Sequence, residues 1–320
     1  MPVPKGYIAS KVTGETTVED GFVIYEGTEE VNDANKNTAQ KTRNQFVWVP
    51  VENPSEMYGR DEDCKKWGKL YDFDEDGITP LNWTEEDGVM SITATSGTGS
   101  YREPDVITDD DETKYDADNT NLQEAGLDVS ATADTFKTQL ETEFNSMIAS
   151  VEKYGGFYIG RYETGGLSQT EAVVVKNNSE IARQTWYTMY KKSKEVAANS
   201  NVATTMIWGC QWDAVMRWMY NSGDSTKKTY TYDSTGKGNY SSSRKNTGSD
   251  PAYVINNIYD MTGNVEDWTI EAGNTKYRVN RGGDYDDMFG SGHPSSSRRN
   301  INNYPTNNNT IAGSRLSLYM

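Results

Sequence analysis

Leucine is nearly missing from this chain. Only 8 of its 320 residues are leucine, against 21 Tyr, 8 Trp and 7 Phe. Helical bundles rely on leucine, whereas half-buried strands and irregular packed loops favour aromatic and β-branched side chains. Abundant Gly, Asn, Ser and Thr supply turns and locally bonded loops. The expectation is a loop-rich α+β protein around an aromatic core, long enough for one large domain or two ordinary ones.

Charge narrows the function classes. Lysine and arginine number 31 against 48 aspartates and glutamates, a formal net charge of −17. Such a surface repels phosphate backbones and anionic lipid, so no nucleic-acid partner is expected. No run approaches the ~20 apolar residues of a membrane span, so no membrane insertion is expected either. Residues 1–10 lack the basic-then-apolar layout of a secretory signal. Two cysteines, Cys64 and Cys210, exclude a disulfide framework.

Patterning places the elements. Residues 21–25 and 46–51 are β-branched and aromatic runs and read as strands. Residues 52–132 read as a solvated acidic insertion; between Glu103 and Asp118 stand eight acidic residues and one lysine. Phe136, Leu140, Phe144, Ile148 and Val151 then recur at helical spacing, and the helix should end at Gly155 and Gly156. A strand over 157–163, helices over 186–198 and 211–220, and a mobile loop over 221–250 follow. No repeat of solenoid period is present. The chain, 1–320, reads as one domain.

Several segments, in this order, resemble the formylglycine-generating-enzyme-like domain, a variant of the C-type lectin fold. They are Phe46–Val51 (FVWVPV), Gly156–Glu163 (GFYIGRYE), the Trp186 helix, Trp208–Trp218 (WGCQWDAVMRW), Asn257–Trp268 (NIYDMTGNVEDW), Arg281–Tyr285 (RGGDY) and Gly313–Arg315. Glu266 and Asp267 stand where that family's GNxWEW segment has Trp-Glu. The resemblance implies a structural calcium held by the carboxylates of Asp260 and Asp267 and the carbonyls of Gly263 and Val265. All-oxygen ligation suits that ion; the alternative is that Asp260 caps a turn.

The same resemblance raises enzyme readings. A copper oxidase of the formylglycine-generating class needs two convergent cysteines. Here Cys210 sits in an apolar run and Cys64 in the acidic insertion. Related iron-dependent sulfoxide synthases need a histidine cluster, and this chain has one histidine, His293. A serine hydrolase built on His293 has no nucleophile elbow. The expectation is no catalysis and no catalytic cofactor. Two acidic patterns are weaker still. Asp72–Gly77 matches the front of a calcium loop, but Trp83 stands where the bidentate glutamate belongs. Glu103-Pro104-Asp105 matches a lectin tripeptide without a partner motif.

The richest signal is the tail. From Gly282 to Tyr319 there is no Lys, Glu, Gln or Trp, and six of the ten positions 300–309 are asparagine. Nearly every residue type there has a codon ending in a pyrimidine, and most lie one or two adenine changes from AAC. That bias, between an Arg-Gly-Gly opening (Arg281–Gly283) and a closing Gly-x-Arg (Gly313–Arg315), is similar to the variable region of diversity-generating-retroelement proteins. The alternative is an ordinary Asn/Ser-rich surface loop.

The resemblance implies a binding protein with a candidate variable region at 281–320. Asn and Ser donate and accept hydrogen bonds while Tyr and Phe give rigid contact area, as in antibody paratopes. Candidate binding residues are Asp284, Asp286, Asp287, Phe289, His293, Ser295, Ser297, Arg299, Asn300, Asn302, Asn303, Tyr304, Asn307, Asn308 and Asn309. Arg281, Gly282, Gly283, Pro294, Arg298, Gly313 and Arg315 would form the scaffold. The implied partner is a protein or glycan receptor, and the implied location a phage particle or bacterial cell surface. The alternatives are the copper oxidase above and an invariant structural domain. No coiled-coil heptads choose an oligomeric state.

Overall fold

Strand β1 (Tyr7–Ala9), β2 (Val23–Glu26), α1 (Lys36–Thr42) and β3 (Gln45–Pro50) open the computed structural model. Four short strands follow: β4 (Asp72–Phe73), β5 (Pro80–Leu81), β6 (Trp83–Glu86) and β7 (Val89–Ile92). Next come α2 (Asn119–Glu124), α3 (Ala133–Tyr154), β8 (Gly156–Gly160), α4 (Trp186–Glu195), β9 (Ala203–Met206), α5 (Gly209–Tyr220) and α6 (Ser225–Tyr232). The last part holds β10 (Val254–Ile255), β11 (Ile258–Tyr259), β12 (Glu266–Ala272), β13 (Arg278–Arg281), β14 (Asn300–Asn303), β15 (Ala312–Ser314) and β16 (Leu316–Tyr319). The residues described are 1–52, 54, 72–73, 80–81, 83–86, 89–92, 119–166, 173–179, 182–197, 202–232, 236–241, 243–272, 278–286, 300–308 and 311–320.

The fold is mixed α+β, with mostly antiparallel sheets and long connecting loops. A six-stranded antiparallel sheet runs in the order β1-β2-β3-β8-β16-β9. Strand β3 shows why its sequence is apolar throughout. Phe46 and Trp48 join one buried cluster with Tyr158, Leu316 and Leu318, while Val47 and Val49 join another with Phe157, Ile159 and the apolar stripe of α3. A strand covered on both faces has no solvent side to alternate with. The aromatic core is packed edge to face in places, as between Trp48 and Tyr158 (5.0 Å) and between Phe144 and Trp208 (5.1 Å).

Helix α3 is longer than its apolar stripe. Thr132 caps its start through Thr135, and Gly155 ends it in the left-handed region at φ 75°. Three expectations need correction. The body of the fold resumes before the end of the proposed insertion, because Leu122, Ala125 and Ala131 are buried in the main core. Residues 221–250 are more than a loop: α6 buries Tyr230, and Asn239 bridges to Gly263. The strand expected over 157–163 ends at Gly160, where Arg161 turns inward to Glu15 (2.7 Å).

A second sheet, β14-β13-β12-β15, carries the tail. Strands β12 and β13 are antiparallel, and β12 and β15 are parallel. The last strand, β16, lies inside the six-stranded sheet between β8 and β9, so the chain beyond the tail's loops ends in the core. Among the described residues no helix is long and apolar enough to cross a membrane.

Candidate ligand-binding surface

The asparagine-rich segment leaves and re-enters the fold at one residue. Asp267 on β12 pairs with Arg281 on one side and with Gly313 on the other. The chain between them is therefore a closed excursion from a single strand, with both ends in main-chain register.

Each end is fixed by a buried arginine. Arg281 is fully buried, and its Nη2 lies 2.9 Å from Glu271 Oε2 and 3.1 Å from Asp213 Oδ1 on α5. Arg315, equally buried, sets Nε 3.1 Å from Asp267 Oδ2 and donates to the carbonyls of Gly160 (3.0 Å), Tyr259 (2.8 Å) and Asp260 (3.1 Å). Guanidinium suits both places because its fork of donors engages several fixed oxygens at once. Asn280 adds a bond from its Nδ2 to Glu266 Oε2 at 2.8 Å. Burial raises the Asp267 carboxyl to about 6 against the pull of the Arg315 guanidinium. Burial also raises Asp260, against its hydrogen bonds.

Gly282 follows the first clamp at φ 92°, and a Cβ there would stand 3.0 Å from the Met261 carbonyl oxygen. Only glycine accepts both conditions at low cost. The neighbouring turn is tied in as well: Gly263 donates its amide to the Gly282 carbonyl (3.3 Å), and Tyr285 donates to the Asn264 carbonyl (3.1 Å). Asn264 in turn donates to Glu163 Oε2 at 2.6 Å.

A third attachment lies part-way along. The amide of Trp186, at the start of α4, donates to the Pro305 carbonyl at 2.8 Å. Trp186 is itself held, its Nε1 donating to the Thr269 carbonyl (2.8 Å) and the Arg278 guanidinium lying 4.0 Å from its ring centroid. Thr185, which caps α4, donates to Glu124 from α2.

Between these fixtures, some of the described side chains face solvent. Asn307 and Asn308 are exposed, Tyr304 is half-buried, and Asp286 is exposed. Strand β14 forms the edge of its sheet, with Asn300 opposite Asn280 and Asn303 opposite Arg278; Asn302 lies on the same strand. Asp284 differs from expectation. It is buried, and its carboxylate accepts from the Asp286 amide at 2.7 Å, so it belongs to the turn that starts the excursion. Asp287, Phe289, His293, Ser295, Ser297, Arg299 and Asn309 lie outside the described residues, as do Pro294 and Arg298. Cys64 and Glu103–Asp105 also lie outside them, and of Asp72–Gly77 only the first two residues, in β4, are described.

Of the four positions assigned to calcium, the two carboxylates are engaged by other groups of the protein. Asp260 Oδ2 accepts from the Thr247 hydroxyl (2.9 Å) and the Gly248 amide (2.8 Å), while Asp267 faces Arg315. The amide of Gly263 donates to the Gly282 carbonyl, and the amide of Val265 to the side-chain Oε1 of Glu163 at 3.2 Å. Among the described residues no group of three or more His, Cys, Asp or Glu gathers as ligands. Cys210, at the start of α5, is buried in the main core.

Glu271, Asp213, Asn280 and Trp186 complete the clamps, and sequence reasoning assigned none of them to the site. Their signal was hidden because each contact partner is distant in sequence.

No protein-family model matches the chain, and no curated protein matches it. Among solved structures, one titled "Major Tropism Determinant I1 Variant" is similar at 14% identity, with a TM-score of 0.35. The alignment covers 52% of this chain and 50% of that one, about half of each. A likeness of that size leaves the functional reading to the chain's own residues.

Proposed function

We propose that this is a non-catalytic display protein whose carboxyl-terminal surface binds a protein or glycan receptor. In this reading its contact residues are rewritten by a diversity-generating retroelement. The scaffold is a C-type lectin fold of the formylglycine-generating-enzyme type, and the setting is a phage particle or a bacterial cell surface. One observation carries the reading: a segment of biased composition departs from and returns to Asp267, with a buried arginine at each end and exposed Asn307 and Asn308 between. A surface meant to vary needs its fold fixed by residues that do not take part in binding.

Asn307, Asn308 and Asp286 offer hydrogen-bond donors and acceptors, and Tyr304 a rigid ring, to a passing partner. A net charge of −17 keeps such a protein soluble without naming its ligand.

Sequencing the DNA around the gene tests the proposal. It expects a nearby reverse transcriptase gene and a near-copy of the 3′ end that differs at adenines. If the flanking DNA has neither, the retroelement reading is wrong and an ordinary loop explains the composition.

A further inference from the structure

We propose that the guanidinium of Arg315 is the resident cation of the 260–267 turn, and that this chain holds the turn without a divalent metal. The inference is independent of whether the tail binds a receptor. Two of the four positions that suggested calcium meet Arg315 directly, Asp267 through its carboxylate and Asp260 through its main-chain carbonyl. The carbonyls of Gly160 and Tyr259 complete a set of four oxygens within 2.8–3.1 Å of the guanidinium nitrogens. Such a set, all oxygen with one carboxylate, is the chemistry a hard cation seeks.

A guanidinium satisfies it in a different way, with one fixed charge and donors aimed at several acceptors. The side chain is fully buried and is supplied by the residue directly after β15. A calcium ion drawn to Asp267 would lie within a few ångströms of this immovable positive charge, where burial strengthens repulsion. It would also need six to eight oxygens. The Asp260 carboxylate is already engaged by Thr247 and Gly248. Arg315 thus joins three parts of the chain: the end of β8, the end of β11 and the strand from which the tail departs.

Thermal unfolding of the full chain, stripped with chelator or supplied with about 10 mM calcium, tests this directly. The two midpoints should agree within about 1 °C. A functional calcium site filled to a hundredfold excess over its dissociation constant would instead raise the midpoint by several degrees. That rise in the wild-type chain would overturn the proposal.

Arg315→Ala supplies the second readout. Removing the side chain vacates the four oxygens and leaves room for water to complete a shell of six or more, so calcium should now raise the midpoint of the variant, or restore its far-ultraviolet signal if it is unfolded in chelator. Arg315→Lys keeps a charge in place and should stay indifferent to calcium. A merely structural arginine would create no such response. If Arg315→Ala is equally unstable with and without calcium, the oxygens are not a cation site and the proposal fails.

Discussion

Arg281→Met is the sharpest probe of the first clamp. Arg281 stands between two carboxylates, 2.9 Å from Glu271 and 3.1 Å from Asp213, and all three side chains are buried. Methionine roughly preserves the volume, so the loss is electrostatic. Breaking a buried ion pair from one side costs about 3–5 kcal/mol, because the stranded charge keeps its desolvation penalty. Here the change takes the arginine from two buried acids of like sign, which puts the expected loss at the upper end of that range. Against a typical total stability of about 5–15 kcal/mol, the variant should be marginal.

Urea unfolding followed by tryptophan fluorescence reads the effect, with an unchanged slope required before the midpoints are compared. The triple variant Arg281→Met, Glu271→Gln, Asp213→Asn removes the stranded charges and should recover a large share of the loss, since an uncharged replacement of a buried ion pair is often near neutral. A loss below about 1 kcal/mol for Arg281→Met would refute the reasoning. So would a triple variant no more stable than the single one.

Gly282→Ala should cost about 1–3 kcal/mol, because alanine must adopt φ near 92° with its Cβ against the Met261 carbonyl; calorimetry would read it, and an unchanged midpoint would remove Gly282 from the scaffold. Trp186→Ala should cost about 3–5 kcal/mol through lost packing. It should also raise amide exchange in residues 304–308, which hang on the α4 start through Pro305; unaltered exchange there would mean that the third attachment holds nothing. Copper added with a cysteine-containing peptide should convert no cysteine to the aldehyde beyond a protein-free control, read by mass spectrometry. Turnover would sink the non-catalytic reading.

The elements that the sequence disclosed are those with an apolar period. Phe136 to Val151 marked α3, and the run over 46–51 marked β3, because burial repeats with the geometry of the element. Strand β12 shows where that logic stops. Asp267, Thr269 and Glu271 alternate with Trp268 and Ile270, a pattern that reads as one solvent face and one core face. All five are buried.

The two carboxylates each meet an arginine, 10 and 48 residues away, separations that no local pattern records, and the Thr269 hydroxyl donates to the Val279 carbonyl. The same reason hid α6, which packs against α5 and buries Tyr230. Within the tail, Arg281, Gly282 and Arg315, which the sequence suggested as scaffold, are all buried. The sequence misread Asp284, since composition alone does not separate an acid that caps a turn from one that faces a partner.

The proposed function requires a division of labour between clamps that cannot change and a face that can. A protease-resistance screen of two displayed libraries measures that division: one randomises Asp286, Asn307 and Asn308, the other Arg281, Gly282, Gly313 and Arg315. Most members of the first library should stay as resistant as the parent, because exposed substitutions usually change stability by no more than about 0.5 kcal/mol, and nearly all members of the second should be cleaved. Equal survival of the two libraries would contradict the account.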